Sequence, residues 1–198
     1  VPLFEECRKN KIAVWADEVQ TFLRTGEAYA FQTLGIGDYI DLCTVAKTIQ
    51  LGATLYTEEY NPKPGLIAGT FAGGTAALAA GNAVIDEMSN GYYGAGGKVE
   101  KIHQKFAQEM TKLINGSCKG LLEDVDGLGL MMAITPFSGD KDKVNKLIKV
   151  LFTNGLMTYN CGKTPMRVRF LLTAVIADKD IEAAAKIFEK SILEVAKG

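Results

Sequence analysis

The stretch IAVWADEVQTFLRTG (12–26) opens with a short apolar run and continues into a polar, turn-forming sequence. The run is too short for a helix and is typical of a buried strand in a parallel sheet. A second run, IDLCTVA (40–46), has the same character, and a long polar segment that contains glycine separates the two. We therefore predict two parallel strands joined by a crossover, which places this part of the chain in the α/β class.

Charged side chains follow both apolar runs at the points where the predicted strands end. Asp17 follows the first run and Lys47 follows the second. In open α/β sheets, ligands bind beyond the carboxyl ends of the strands. A carboxylate and an amine placed there can face one pocket. The same positions also suit two solvated loop charges, so the residues alone leave both interpretations open.

The segment GYYGAGG (91–97) interrupts the chain, and the sequence pattern changes after it. We place a domain boundary here, with one domain over 1–93 and a small α+β domain over 94–198. Strands are predicted around Gly127 and Gly129 and over 166–176, and Asp178 is expected to cap the last helix. Amphipathic or small-residue patterns predict helices over 71–88, 98–114, 141–153 and 179–196.

The composition excludes several classes of protein. The 198 residues carry 22 basic and 23 acidic side chains with no basic stripe, so no nucleic-acid partner is expected. No apolar run is long enough to span a membrane. His103 is the only histidine, which argues against a multi-histidine metal site, and we expect no metal. The widely spaced Cys7, Cys43, Cys118 and Cys161 are interpreted as buried thiols of a reducing compartment, and we expect a cytoplasmic protein.

Four motifs occur in a characteristic order. They are DEVQTFLRTG (17–26), VAKT (45–48), GTFAGG (69–74) and MRVRFLLTAVI (166–176). Together they resemble the class III pyridoxal-phosphate-dependent aminotransferases, such as the acetylornithine and ornithine aminotransferases. The resemblance extends over nearly the whole chain but covers only the C-terminal half of the family's length. It implies that 1–93 is part of the cofactor-binding large domain of fold type I, a mostly parallel sheet, and that a small C-terminal domain follows.

The resemblance assigns roles to individual residues and implies pyridoxal 5'-phosphate as the cofactor. Asp17 resembles the aspartate that pairs with the ring nitrogen, and Lys47 resembles the Schiff-base lysine that also transfers protons. Val19 would pack against the ring, and Gln20 would bond its phenolic oxygen. Thr70 resembles a threonine that contacts the phosphate bound in the neighbouring subunit, which implies a homodimer with shared sites.

Two arginines near the end of the chain are candidates for binding a substrate carboxylate. We interpret Arg167 and Arg169 as pointing to opposite faces of their strand, so that only one of them faces the site. The resemblance favours Arg169, whose planar guanidinium can form a bidentate pair with a carboxylate. Trp15 is interpreted as a core residue rather than as a ring stacked on the cofactor.

These roles imply transamination from an amine or ω-amino acid to a 2-oxo acid such as 2-oxoglutarate. A racemase, an aminomutase or a decarboxylase on the same fold remains an alternative. So does a non-catalytic fragment with a structural or dimerisation role. The chain starts without methionine and without the N-terminal half of the family's fold, and we interpret it as a fragment of a working enzyme. Phe22, the segment 48–56 and Asp126 depart from the family's motifs and leave the substrate open.

Overall fold

The computed structural model describes residues 1–197 and divides into two compact units, Val1–Ala95 and Gly96–Gly198. The division lies within the glycine-rich segment 91–97, two residues beyond the boundary predicted from the sequence. Each unit has its own sheet, and each is described separately below.

The first unit contains a three-stranded sheet of order β1-β2-β3. Its elements are α1 (Pro2–Lys9), β1 (Trp15–Glu18), α2 (Ala30–Thr33), β2 (Leu42–Val45), β3 (Ala53–Tyr56) and α3 (Thr75–Met88). Strands β1 and β2 are parallel, as predicted, and Asp17 lies opposite Thr44. Strand β3 runs antiparallel to β2 and was not predicted from the sequence. The sheet therefore has one parallel and one antiparallel pairing.

The two faces of this sheet differ in burial. Glu18 and Cys43 lie on the buried face and are 3% and 4% exposed. Trp15 and Asp17 point to the other face, because successive residues of a strand alternate between the two faces of a sheet. Trp15 is 64% exposed, and its indole Nε1 donates a hydrogen bond of 3.2 Å to Thr44 Oγ1. The interpretation of Trp15 as a core residue is therefore wrong within this chain, because the core lies on the side of Glu18.

The second unit is a four-stranded antiparallel sheet of order β4-β5-β7-β6 with helices against it. Its elements are α4 (Lys98–Asn115), β4 (Leu122–Leu128), β5 (Met131–Pro136), α5 (Lys141–Thr153), β6 (Tyr159–Cys161), β7 (Arg167–Leu171) and α6 (Asp178–Ala196). The three helices predicted in this half are present. Asp178 begins the last helix instead of capping it, because Ala177 occupies the N-cap position and no side-chain cap bond forms.

Aromatic packing joins the helices of the second unit to its sheet. The ring of Phe170 on β7 lies 4.9 Å from that of Phe106 on α4 and 5.7 Å from that of Phe188 on α6, centroid to centroid. All three residues are buried. Burial of three large rings on one face leaves the opposite face of the sheet for polar side chains.

Among residues 1–197, no helix is both long enough and apolar enough to cross a membrane.

Candidate active site

The carboxyl ends of β1 and β2 bring Asp17 and Lys47 to one edge of the parallel pair. Asp17 lies opposite Thr44 in the register, and Lys47 follows the last residue of β2 by two positions. Both side chains are exposed. The Asp17 carboxylate accepts a hydrogen bond of 3.1 Å from the backbone N–H of Val19. A carboxylate and an amine are thus presented at the edge where open α/β sheets bind ligands.

A cavity of about 570 Å³ lies beside this edge. Its wall includes Val19, Thr44 and Ala46, together with Thr54 and Ile67. Val19 follows Asp17 by two residues, and Ala46 directly precedes Lys47. The volume falls within the range of roughly 300–1,000 Å³ that is typical of small-molecule pockets. The segments that carry the acid and the amine therefore also form the wall of a cavity large enough for a cofactor.

The backbone turn that carries Lys47 has an unusual conformation. Lys47 has a φ of 58°, and Gln50 has a φ of 60°, so both lie in the left-handed region. For residues other than glycine, this conformation costs of the order of 1 kcal/mol or more. The turn is closed by a 3.0 Å hydrogen bond from the Gln50 N–H to the Lys47 carbonyl, and Ile49 is 3% exposed. Tertiary contacts must therefore hold the backbone at Lys47.

The loop after β1 is held by two charged side chains that the sequence analysis did not single out. The Glu18 carboxylate accepts hydrogen bonds from the Thr21 hydroxyl and, at 3.0 Å, from the Phe31 N–H. Arg24 Nη1 donates to the Gln20 carbonyl at 2.6 Å, and burial lowers the pKa of this arginine. The position of Glu18 next to Asp17 could have identified it in the sequence. Neighbouring residues of a strand point to opposite faces, so Glu18 faces the core if Asp17 faces the site. Both side chains fix the backbone that presents Val19 and Gln20, which are half-buried.

Cys43 lies on the buried face of the sheet, behind the candidate site. Burial, together with the negative charges of Glu18 and Asp17, raises the pKa of its thiol to about 11. A thiol with so high a pKa stays protonated at neutral pH and is a poor nucleophile. Cys43 is therefore a structural residue in this chain.

We expect iodoacetamide at pH 8 to alkylate the half-buried Cys7 and Cys161 well before Cys43. A pKa of about 11, two units above the usual value, reduces the thiolate fraction about a hundredfold, and burial slows access further. Peptide mass spectrometry over a time course measures the order of labelling. In urea all four cysteines should react at similar rates, and early alkylation of Cys43 in the native protein would contradict this account of its surroundings.

Thr70 lies in a tight turn at 69–72, closed by a 3.0 Å hydrogen bond from the Ala72 N–H to the Gly69 carbonyl. Its side chain is exposed, and the cavity wall of the first unit is formed by other residues. The role that the resemblance assigns to Thr70, in the site of a neighbouring subunit, stays a prediction.

Arg167 and Arg169 lie on the same face of β7, so the interpretation that they point to opposite faces is wrong. Residues two positions apart on a strand share a face. The burial pattern agrees with this. Val168 and Phe170 are buried, whereas Arg167 and Arg169, which alternate with them along the strand, are only partly buried. The strand therefore turns both guanidinium groups away from the helical core of the second unit.

The two arginines differ in their partners. Arg167 donates from Nε to Thr135 Oγ1 at 3.0 Å and from Nη2 to Asp124 Oδ2 at 3.0 Å, with Asp126 Oδ2 3.7 Å from Nη1. The guanidinium of Arg169 lies 5.9 Å from the centre of the Tyr159 ring. Two carboxylates thus balance the charge of Arg167 within its own sheet. Asp126, which departs from the family's motif, is one of them.

The fold and the arrangement at the sheet edge define a class of protein: an α/β chain with an acid and an amine beside a ligand-sized cavity. Residues 2–192 match the family model of the class III aminotransferases, and the chain belongs to this family. It is 30% identical to an acetylornithine aminotransferase of Pseudomonas syringae pv. tomato over 96% of this chain and 46% of that protein. It is 32% identical to a 5-aminovalerate aminotransferase of Pseudomonas aeruginosa, with the same shares covered. The chain spans about half the length of the curated relatives it matches.

Solved structures share the fold. An acetylornithine aminotransferase from Elizabethkingia anophelis superposes with a TM-score of 0.73 and 29% identity, over 96% of this chain and 50% of that one. A lysine aminotransferase from M. tuberculosis superposes with a TM-score of 0.81 and 20% identity, over 98% of this chain and 44% of that one. This chain therefore has the fold of one half of a class III aminotransferase.

Class III aminotransferases depend on pyridoxal 5'-phosphate, and the residues at the sheet edge fit this cofactor. Lys47 offers an amine for covalent attachment, Asp17 offers a carboxylate for a protonated ring nitrogen, and Val19 offers an apolar wall. Thr48 Oγ1 is buried and has no hydrogen-bond partner among the residues that the structure describes. Buried hydroxyls usually have a partner, so this atom is a further indication that the region around Lys47 is completed by another group.

Proposed function

We propose that this chain contributes Lys47 and Asp17 to the site of a transaminase. The reaction moves an amino group from an amine or ω-amino acid to a 2-oxo acid such as 2-oxoglutarate. The observation that carries the proposal is the placement of Asp17 and Lys47 at the carboxyl ends of β1 and β2, next to residues that line the cavity. Membership of the class III family supports it. Since the chain spans about half of its relatives, the activity belongs to the complete protein.

When bound, pyridoxal 5'-phosphate supplies a ring that accepts electrons from the carbon where the substrate loses a proton. Asp17 would hold a proton at the ring nitrogen, because a carboxylate stabilises the charged N–H through a strong hydrogen bond. Val19 would pack against one ring face, and Gln20 would donate to the phenolic oxygen. The bonds of Glu18 and Arg24 would keep this segment in place.

Lys47 has two tasks in the proposal. Its ε-amine would hold the cofactor covalently until the substrate amine takes its place. The released amine would then take the proton from the substrate carbon and deliver it to the cofactor carbon on the other side of the amino nitrogen. Both tasks require the amine to reach two atoms on one face of the ring. The position of the turn at Lys47 is therefore central to the mechanism.

We assign the substrate carboxylate to Arg169 and give Arg167 a structural role. A change of Arg169 to lysine should raise KM for the oxo acid by about ten- to a hundredfold, because a point charge replaces a planar fork. Steady-state kinetics of the complete protein measures this change. The change of Arg167 to lysine is the matched control and should act mainly on stability, since Asp124 and Asp126 balance the charge of Arg167. A larger KM effect at Arg167 would reverse the assignment.

We also propose that the protein is a homodimer and lies in the cytoplasm. Thr70 would contact the cofactor phosphate in the partner subunit of a homodimer, and 1–93 would be part of the cofactor-binding large domain. The N-terminal half of the same protein would supply the rest of the site. All four cysteines are free thiols, which favours a reducing compartment such as the cytoplasm.

The test is an amine-donor screen of the complete protein with and without a 2-oxo acid. We expect product only when donor, oxo acid and cofactor are all present, because transamination is the reaction that needs an acceptor. Turnover without an oxo acid would instead indicate a racemase, an aminomutase or a decarboxylase. A protein that retains no cofactor would indicate a non-catalytic, structural role.

A further inference from the structure

Helix α3 touches the turn that carries Lys47 through a residue without a side chain. Gly81 is buried on α3. A Cβ atom built there would overlap with Leu51 Cδ2 and would lie 3.1 Å from the Ile49 carbonyl oxygen. The second distance is shorter than ordinary van der Waals contact, and the atom that it involves is backbone rather than a flexible side chain. The helix therefore approaches the turn as closely as a glycine allows.

The turn needs such support. Lys47 and Gln50 both adopt the left-handed conformation, although neither is glycine. Such residues keep this conformation only where the surrounding structure enforces it. Internal bonds close the turn, since both the backbone N–H and the side-chain Nε2 of Gln50 donate to the Lys47 carbonyl, at 3.0 and 3.2 Å. Those bonds fix the shape of the turn, but they do not fix its place on the sheet edge.

We infer that Gly81 is a positioning residue for Lys47: by admitting the Ile49 carbonyl against α3, it sets where the Lys47 amine emerges at the sheet edge. This inference rests on the proposed function of Lys47 and adds a residue outside the motif that contains it. A Cβ atom at position 81 requires the Ile49 carbonyl to give way by a few tenths of an ångström, and a larger side chain requires a larger shift of the turn. Small displacements matter here, because a shift of about 1 Å in a reacting group can cost roughly a hundredfold in rate.

The test measures capture of pyridoxal 5'-phosphate by the complete protein after removal of its cofactor. Borohydride makes the lysine adduct permanent, and peptide mass spectrometry gives its site and its rate of formation. We expect Gly81→Val to lower the capture rate at Lys47 about tenfold or more, and kcat by a similar factor, with little change in KM for the amine. Ala83→Val is the matched control, because it adds the same β-branched side chain to an exposed position of α3.

Two further variants keep the test decisive. Gly81→Ala adds only the Cβ atom and should give a smaller loss in the same direction, and it serves where Gly81→Val does not fold. Leu51→Ala in the Gly81→Val background removes the overlapping side chain and should restore part of the capture rate. If folded Gly81→Val and Gly81→Ala proteins capture the cofactor on Lys47 at the wild-type rate, the role of Gly81 is overturned, while the proposed function of Lys47 stands. Capture of the cofactor by wild-type protein at another lysine would overturn the proposed function, and this inference with it.

Discussion

We expect replacement of Lys47 with alanine in the complete protein to lower transamination by about four orders of magnitude, because in the proposed mechanism one side chain both holds the cofactor and transfers the proton. Lys47 is the lysine at the carboxyl edge of the parallel pair, two residues beyond β2. The expected loss is in kcat rather than in KM, since the amine acts on the reacting atoms. Steady-state kinetics with saturating donor and oxo acid measures it.

The matched control is Lys9→Ala, which removes an exposed lysine of the same unit from α1. Its turnover should equal that of the wild type. A covalent cofactor and substantial turnover in Lys47→Ala would show that another lysine carries the chemistry. The carboxyl edge of β1 and β2 would then not be the site of the reaction.

A second large effect is expected for Asp17→Asn. This change keeps the shape of the side chain and its acceptor oxygen for the Val19 N–H but removes the negative charge. Without that charge the side chain could not hold a proton at the ring nitrogen, so we expect turnover to fall by about a hundred- to a thousandfold in Asp17→Asn. The cofactor should remain attached to Lys47. The variant therefore distinguishes two roles of the site, covalent attachment of the cofactor and activation of its ring.

Absorbance of the bound cofactor and kinetics of the same preparation test this separation. Asp38→Asn is the control, because Asp38 is also exposed in the first unit and lies in the short turn Gly37–Tyr39, away from the sheet edge. Wild-type turnover in Asp17→Asn would contradict the role of Asp17. Loss of the cofactor itself would mean that Asp17 acts mainly in binding.

Much of the fold near the candidate site could be predicted because it depends on local pattern. Two apolar runs separated by a polar segment predict parallel strands, and parallel strands bring Asp17 and Lys47 to one edge. The helices of the second unit follow from their amphipathic spacing. Strands β3 and β6 have four and three residues and were missed because, unlike β1 and β2, they do not belong to a longer apolar run.

Other features depend on contacts between distant parts of the chain. The bond between Arg167 and Asp124 joins residues 43 positions apart, and Gly81 meets the turn at Ile49 from another element. Neither contact has a signal in its local sequence. The predicted orientation of Arg167 and Arg169 failed for a different reason, because it applied the two-residue period of a strand incorrectly. The exposure of Trp15 depends on which sheet face the chain covers, and the apolar run does not specify this.

The most direct test of the central claim is peptide mapping of the complete wild-type protein after borohydride treatment. We expect a pyridoxyl-phosphate group on the peptide that contains Lys47 and on no other peptide. A pyridoxyl group on a different lysine, or a fully folded protein that carries none after incubation with the cofactor, would contradict it.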